Sequence, residues 1–158
     1  MKRLIVSVLI VFAVSSAVAG PIEDGFAAME QKDYATAARL WLPIAENAGA
    51  PVQFALGLMY YRGQGVPQDF GEAAKWDRKA ANQGHAESQF ILGMMYAQGE
   101  GVPKDYVQAH KWFSLAALRE TDANKRTIAA RNRDSIAKSM TSTQIAEAQR
   151  LAREWKTE

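Results

Sequence analysis

The stretch GQGVPQDF, Gly63 to Phe70, returns as GEGVPKDY, Gly99 to Tyr106, 36 residues later. Extended in both directions, residues 33–68 align with 69–104 without a gap and share 15 of 36 positions. The shared pairs include Asp33/Asp69, Ala37/Ala73, Ala38/Ala74, Phe54/Phe90, Leu56/Leu92, Gly57/Gly93 and Tyr60/Tyr96. Identity held in register over that length marks two copies of one structural unit.

Within each unit apolar residues recur at helical spacing, as in Phe54, Leu58 and Tyr61 or Trp41, Ile44 and Ala48. No alternation favours strands, so each unit predicts two antiparallel helices. The repeated stretch is then the link that turns one helix pair onto the next. Gly63 and Gly99 stand where a helix ends and a positive φ is wanted, Pro67 and Pro103 stop helix continuation, and Asp69 and Asp105 cap the helix that follows. Gly57 and Gly93 fall in mid-helix, where glycine costs about 1 kcal/mol relative to alanine. Their matched placement predicts that two helix backbones approach closely there. Pro43 lies inside the first unit's leading helix and predicts a kink.

A third unit opens at Asp105-Tyr106 and keeps register through Ala109, Lys111, Trp112, Ala116 and Ala117. Its second half departs: Arg126 stands at the Phe54/Phe90 position and Asn132 at the Tyr60/Tyr96 position. Terminal units of a stack are atypical because their outer face meets water. Thr141 then begins a capping-box spacing to Gln144, followed by a helix with Ile145, Ala148, Ala152 and Trp155 on one face. The predicted organisation is a half-unit over 20–32 that includes Phe26 and Met29, repeats over 33–68, 69–104 and 105–140, and a capping helix over 141–158. The fold class is an all-α solenoid of antiparallel helix pairs.

Ahead of that unit, MKRLIVSVLIVFAVSSAVAG has the three parts of a secretory signal: Lys2 and Arg3, an apolar run from Leu4 to Val14, and Ala17-Val18-Ala19 as a cleavage site. The apolar run is shorter than the roughly 20 residues of a spanning helix. Residues 1–19 are therefore expected to be removed, leaving a periplasmic or secreted protein with no stable membrane insertion. Cysteine is absent from all 158 residues, so stability rests on packing and not on disulfides.

Of the 19 Lys and Arg, Lys2 and Arg3 precede the cleavage site, so 17 bases remain against 17 acids. A neutral balance argues against nucleic acid as partner. The charge is nonetheless segregated. Residues 20–60 carry Glu23, Asp24, Glu30, Asp33 and Glu46 against Lys32 and Arg39, whereas residues 119–138 carry Arg119, Lys125, Arg126, Arg131, Arg133 and Lys138 against Glu120, Asp122 and Asp134.

Groups suited to catalysis are sparse. His85 and His110 are the two histidines and share no metal-ligand spacing. The first reads as an exposed turn residue and the second as a satisfied or half-buried residue on a packing helix. GQG and GEG extend to neither GxGxxG nor a GKS/T ending, and no GxSxG elbow occurs. The reading is of a protein that is not an enzyme, with no metal, no cofactor and no catalytic residue. The surface candidates are a ladder of cations at one repeat position, Arg39, Lys75 and Lys111, beside the aromatics Trp76 and Trp112, with Tyr60 and Tyr96 as further contacts. Such a ladder suits a partner's carboxylates. The competing role for these bases is to cover apolar surface with their stems.

The run AAKWDRKAANQGHAESQFILGMMYAQGEGVPKDY, Ala73 to Tyr106, resembles a Sel1-like repeat, a relative of the tetratricopeptide repeat; the closing MTSTQIAEAQRLAREW is similar to the tail of small exported bacterial members. The resemblance implies a solenoid acting as an adaptor for a protein or peptide, in envelope assembly or signalling. Two alternatives stand beside it: an envelope enzyme acting on peptidoglycan or β-lactams, and, from the segregated charge, a structural protein that self-associates by docking the acidic N-terminal end of one copy on the basic 119–138 region of the next. The absence of cysteine sets the chain apart from the disulfide-rich exported members to which β-lactam chemistry is ascribed.

Overall fold

The computed structural model describes residues 20–157, and every regular element among them is helical. The predicted signal segment, residues 1–19, lies outside the described residues. Helix α1 covers residues 20–30 and α2 Tyr34–Trp41; a short 3-10 turn over Ala45–Asn47 leads to α3 (Ala50–Arg62). Then follow α4 (Phe70–Asn82), α5 (Ala86–Gln98), α6 (Tyr106–Arg119), α7 (Ala123–Ala137) and α8 (Ser142–Glu154). Consecutive helices stack from α3 to α7, and α8 returns to pack on α6.

The local signals place the helix ends. Asp69 accepts from the Glu72 N–H at 3.0 Å and Asp105 from Val107 and Gln108 at 2.8 and 3.1 Å. Gly63 and Gly99 are left-handed, with φ of 65° and 77°. Thr141 and Gln144 form the reciprocal capping box. Thr141→Ala should cost about 1 kcal/mol, read as a lower urea midpoint with an unchanged slope. Pro43 does more than kink its helix. It ends α2 after eight residues, against 13 for α4, and the chain goes on through 3-10 geometry.

The core is organised around one recurring contact, and here the sequence reading needs correction. Gly57 and Gly93 do meet something too close for a side chain, but it is not another backbone. A Cβ on Gly57 would lie 2.9 Å from the Asp77 carboxylate, and one on Gly93 2.8 Å from the Phe113 ring. Residues 41, 77 and 113 share a repeat position, and Trp41 in turn rests on Gly25 of α1, whose Cβ would fall 2.2 Å from the indole. The glycine stands 20 residues ahead of its partner in the second and third joints and 16 ahead in the first. The link between α1 and α2, residues 31–33, is four residues shorter than the seven-residue link over 63–69, which accounts for the offset. The three joint residues are Trp41, Asp77 and Phe113, each at most 1% exposed.

Candidate functional site

Helices α3 and α5 are apolar nearly all round, which requires a second covered face or leaves one to be used. Each buries one side against its neighbours, through Val52, Leu56 and Met59 in α3 and Leu92 and Met95 in α5. A second strip stays half-exposed: Phe54 and Leu58 on α3, Phe90, Ile91 and Met94 on α5. Phe54/Phe90 and Leu58/Met94 are repeat pairs, so stacking lays the two strips side by side. Helix α7 closes the far wall with Ile128, 47% exposed. The result is a hollow of about 410 Å³, continued past Leu58, Ile91 and Met94 by a smaller one of about 170 Å³.

The rim of this groove is polar. Glu87 of α5 and Lys125 of α7 form an ion pair across it, and exposed Arg62 flanks α3. His85 stands at one end. It is not an exposed turn residue, as its place after Gly84 predicts; it is half-buried, its ring 4.7 Å from that of Phe54. Its Nδ1 accepts the Ser88 N–H at 3.2 Å and so caps α5. Burial holds its pKa below the ordinary histidine value, and the capping role requires the neutral ring with Nδ1 unprotonated. His110 is buried at 4% exposure, 3.5 Å from the Ser114 hydroxyl. Among the described residues no His/Cys/Asp/Glu cluster suited to a metal occurs.

The residues singled out in the sequence lie elsewhere, and none lines the groove. Arg39, Lys75 and Lys111 sit on α2, α4 and α6. Trp76 and Trp112 are buried at 5% and 3% exposure. Lys75 lies 5.2 Å above the first ring and Lys111 4.1 Å above the second, so these bases cover apolar surface. Lys75 also pairs with Glu72 at 3.2 Å. Lys111 is half-buried, and burial together with nearby Arg78 lowers its pKa. Tyr96 accepts a hydrogen bond from Arg78 at 2.9 Å, and Tyr60 packs half-buried against the core. Beside Lys75 a shallow polar hollow of about 540 Å³ runs past Arg78 and Lys79, where Lys79 pairs with Glu46 at 2.5 Å.

The groove residues were visible in the sequence only as repeat positions. Periodicity marks them as apolar, but which apolar strip is left uncovered follows from how the helices pack on one another. Asp77 was missed altogether. Its side chain is fully buried, and among the described residues neither oxygen makes a hydrogen bond. Burial raises its pKa to about 7, with the Ser88 hydroxyl exerting a weaker opposite pull.

The Sel1 repeat family model matches residues 50–85 and 86–120. Each match takes a link as its centre and so pairs α3 with α4 and α5 with α6. Among solved structures, a protective antigen of uropathogenic Escherichia coli with an SLR fold superposes at a TM-score of 0.76 and 29% identity, covering 90% of this chain and 30% of its own. A Sel1 repeat protein from Oxalobacter formigenes superposes at 0.62 and 27% identity, covering 85% of this chain and 62% of its own. The chain thus spans less than two thirds of the length of either. No curated protein matches it. Among the described residues no helix is long and apolar enough to cross a membrane.

Proposed function

Because this chain is an α-solenoid carrying Sel1 repeats, a fold typical of non-catalytic scaffolds for protein interaction, we propose that it is an exported scaffold that holds a protein or peptide segment in the groove formed by α3, α5 and α7. The observation that carries this reading is the half-exposed apolar strip of Phe54, Leu58, Phe90, Ile91 and Met94, set in repeat register. Exposed apolar surface of that kind is what an amphipathic helix or an extended apolar segment covers on binding. The signal-like residues 1–19 support a periplasmic or secreted setting, where a partner in envelope assembly or signalling is at hand.

The groove and the cation ladder make different predictions. Met94→Glu places a charge on the half-exposed floor and should weaken capture of the partner from envelope extract by about tenfold or more. The triple variant Arg39→Glu, Lys75→Glu, Lys111→Glu should bind as the wild type does, provided circular dichroism shows its helicity intact. The opposite pattern would move the site to the ladder. Equal capture by all three proteins would remove both sites. Hydrolysis of peptidoglycan or a β-lactam by the pure protein would replace the scaffold reading with an enzymatic one.

A further inference from the structure

The two ends of the stack are unlike in charge and alike in leaving apolar side chains uncovered. At the first end, α1 turns Glu23, Phe26, Ala27 and Glu30 outward. Phe26, packed edge-on against Trp41 with centroids 4.8 Å apart, is still 36% exposed. It lies three residues after Glu23 and four before Glu30, so all three share one helix face. Neither carboxylate takes part in an ion pair among the described residues.

At the other end, α7 and α8 both pack on α6 and hardly touch each other. Between them they leave a notch of about 370 Å³ on the last turn of α6. It is lined by Leu115, Leu118 and Ala152, with Arg133 of α7 and Arg153 of α8 beside them. Leu118 is 79% exposed, the most exposed large apolar side chain described. Arg133 reaches Asp134 at 2.8 Å, while Arg153 has no ion partner among the described residues.

We propose that two copies of this chain join head to tail, Phe26 of one seated over Leu118 of the next, with Glu23 and Glu30 set between Arg133 and Arg153. An apolar side chain between two carboxylates matches an apolar patch beside two guanidinium groups in both polarity and sign. The charge complementarity commits the notch to α1 of a second copy rather than to a basic or neutral partner. Because the two surfaces differ, the contact is heterologous: each joined pair keeps one free head and one free tail, and assembly continues into a chain or closes as a ring. The contact leaves the groove open and would multiply it along the assembly.

Sedimentation velocity of the purified protein over a concentration series tests this. At about 20 mM salt the weight-average sedimentation coefficient should rise with concentration, and at about 0.5 M salt, where screening is strong, the rise should shrink. Leu118→Asp should weaken association by about tenfold or more, and so should Glu30→Arg. Leu118 and Glu30 are exposed, so both variants keep the fold. Combining Glu23→Arg and Glu30→Arg with Arg133→Glu and Arg153→Glu in one chain should restore association, because every head again meets an opposite tail. The groove variant Met94→Glu should associate as the wild type does, which separates this contact from partner binding. A monomer at every concentration in low salt would overturn the proposal. So would association that stops at a dimer and is indifferent to Glu30→Arg, or a four-fold swap that fails to associate.

Discussion

Replacing Asp77 by asparagine should stabilise the protein at pH 8 and leave it nearly unchanged at pH 4. The side chain is 0% exposed, faces Gly57 across the α3–α4 joint, and makes no hydrogen bond through either oxygen among the described residues. A carboxylate in that position prefers to be neutral, and burial lifts its pKa from 3.8 to about 7. The folded state thus binds a proton that the unfolded chain releases. Its stability is fullest below the unfolded value near 3.8, falls as pH rises, and levels off above about 7. A shift of that size corresponds to about 4 kcal/mol at pH 8. Asparagine has the same shape and no charge to desolvate, so it removes most of that penalty. Its buried amide finds no more partners than the carboxyl did, and that keeps the gain below the full figure.

The measurement is the difference between variant and wild-type unfolding free energies from urea titrations between pH 4 and 8. Taking the difference matters, because His85 and His110 act in the opposite sense. Burial lowers both their pKa values, so each makes the wild type less stable as pH falls. They cancel between the two proteins. A difference that grows from near zero at pH 4 to a plateau above 7 supports the account. A difference independent of pH would mean that Asp77 keeps its charge and has a partner in solution.

The same joint shows how much of the fold could be read from sequence and where reading stopped. Helix number, link chemistry and caps follow from glycine, proline and aspartate recurring at a period of 36, because those residues act through their own backbone or their nearest neighbours. Gly57 and Gly93 announced a close approach in the same way. What they approach depends on residues 20 positions later that have nothing in common, a carboxylate and a phenyl ring. Gly25 gave no signal, since its joint is offset by the shorter first link. The candidate site residues are harder to read for a related reason. Lys75 and Lys111 align as a charged ladder, yet each lies over the tryptophan that follows it, and sequence does not distinguish a base offered to a partner from one covering an indole. The groove needs α3, α5 and α7 brought together, which no single repeat contains.

Gly101→Ala should be the most damaging single-methyl change in the links, costing about 3 kcal/mol or more, whereas Gly99→Ala should cost about 1–2 kcal/mol. Both glycines have positive φ, 77° at Gly99 and 68° at Gly101, so alanine is strained at either. The difference lies in what the new methyl meets. At Gly99 the nearest atom is the Lys104 Cβ at 3.2 Å, in a link that has room to give. At Gly101 the methyl would fall 2.0 Å from the Phe70 carbonyl oxygen and 2.4 Å from its carbon, at the first residue of α4. That backbone is fixed on both sides: Asp69 caps the helix, and the Asp69 N–H is bound to the Tyr60 carbonyl at 3.0 Å. Gly65 repeats the arrangement one unit earlier, with a Cβ 2.3 Å from the Tyr34 carbonyl oxygen at the start of α2. Tyr34 and Phe70 share a repeat position, so the second glycine of each link seats that link on the opening turn of the preceding helix pair and fixes the stacking angle. The first glycine ends a helix; the second joins two units. Urea titrations of the two alanine variants decide the matter. If Gly101→Ala costs no more than Gly99→Ala, the link is free to move off α4 and does not set the stacking. If Gly65→Ala matches Gly101→Ala and both exceed Gly99→Ala, the stretch recurs in the sequence because each seat needs its own glycine.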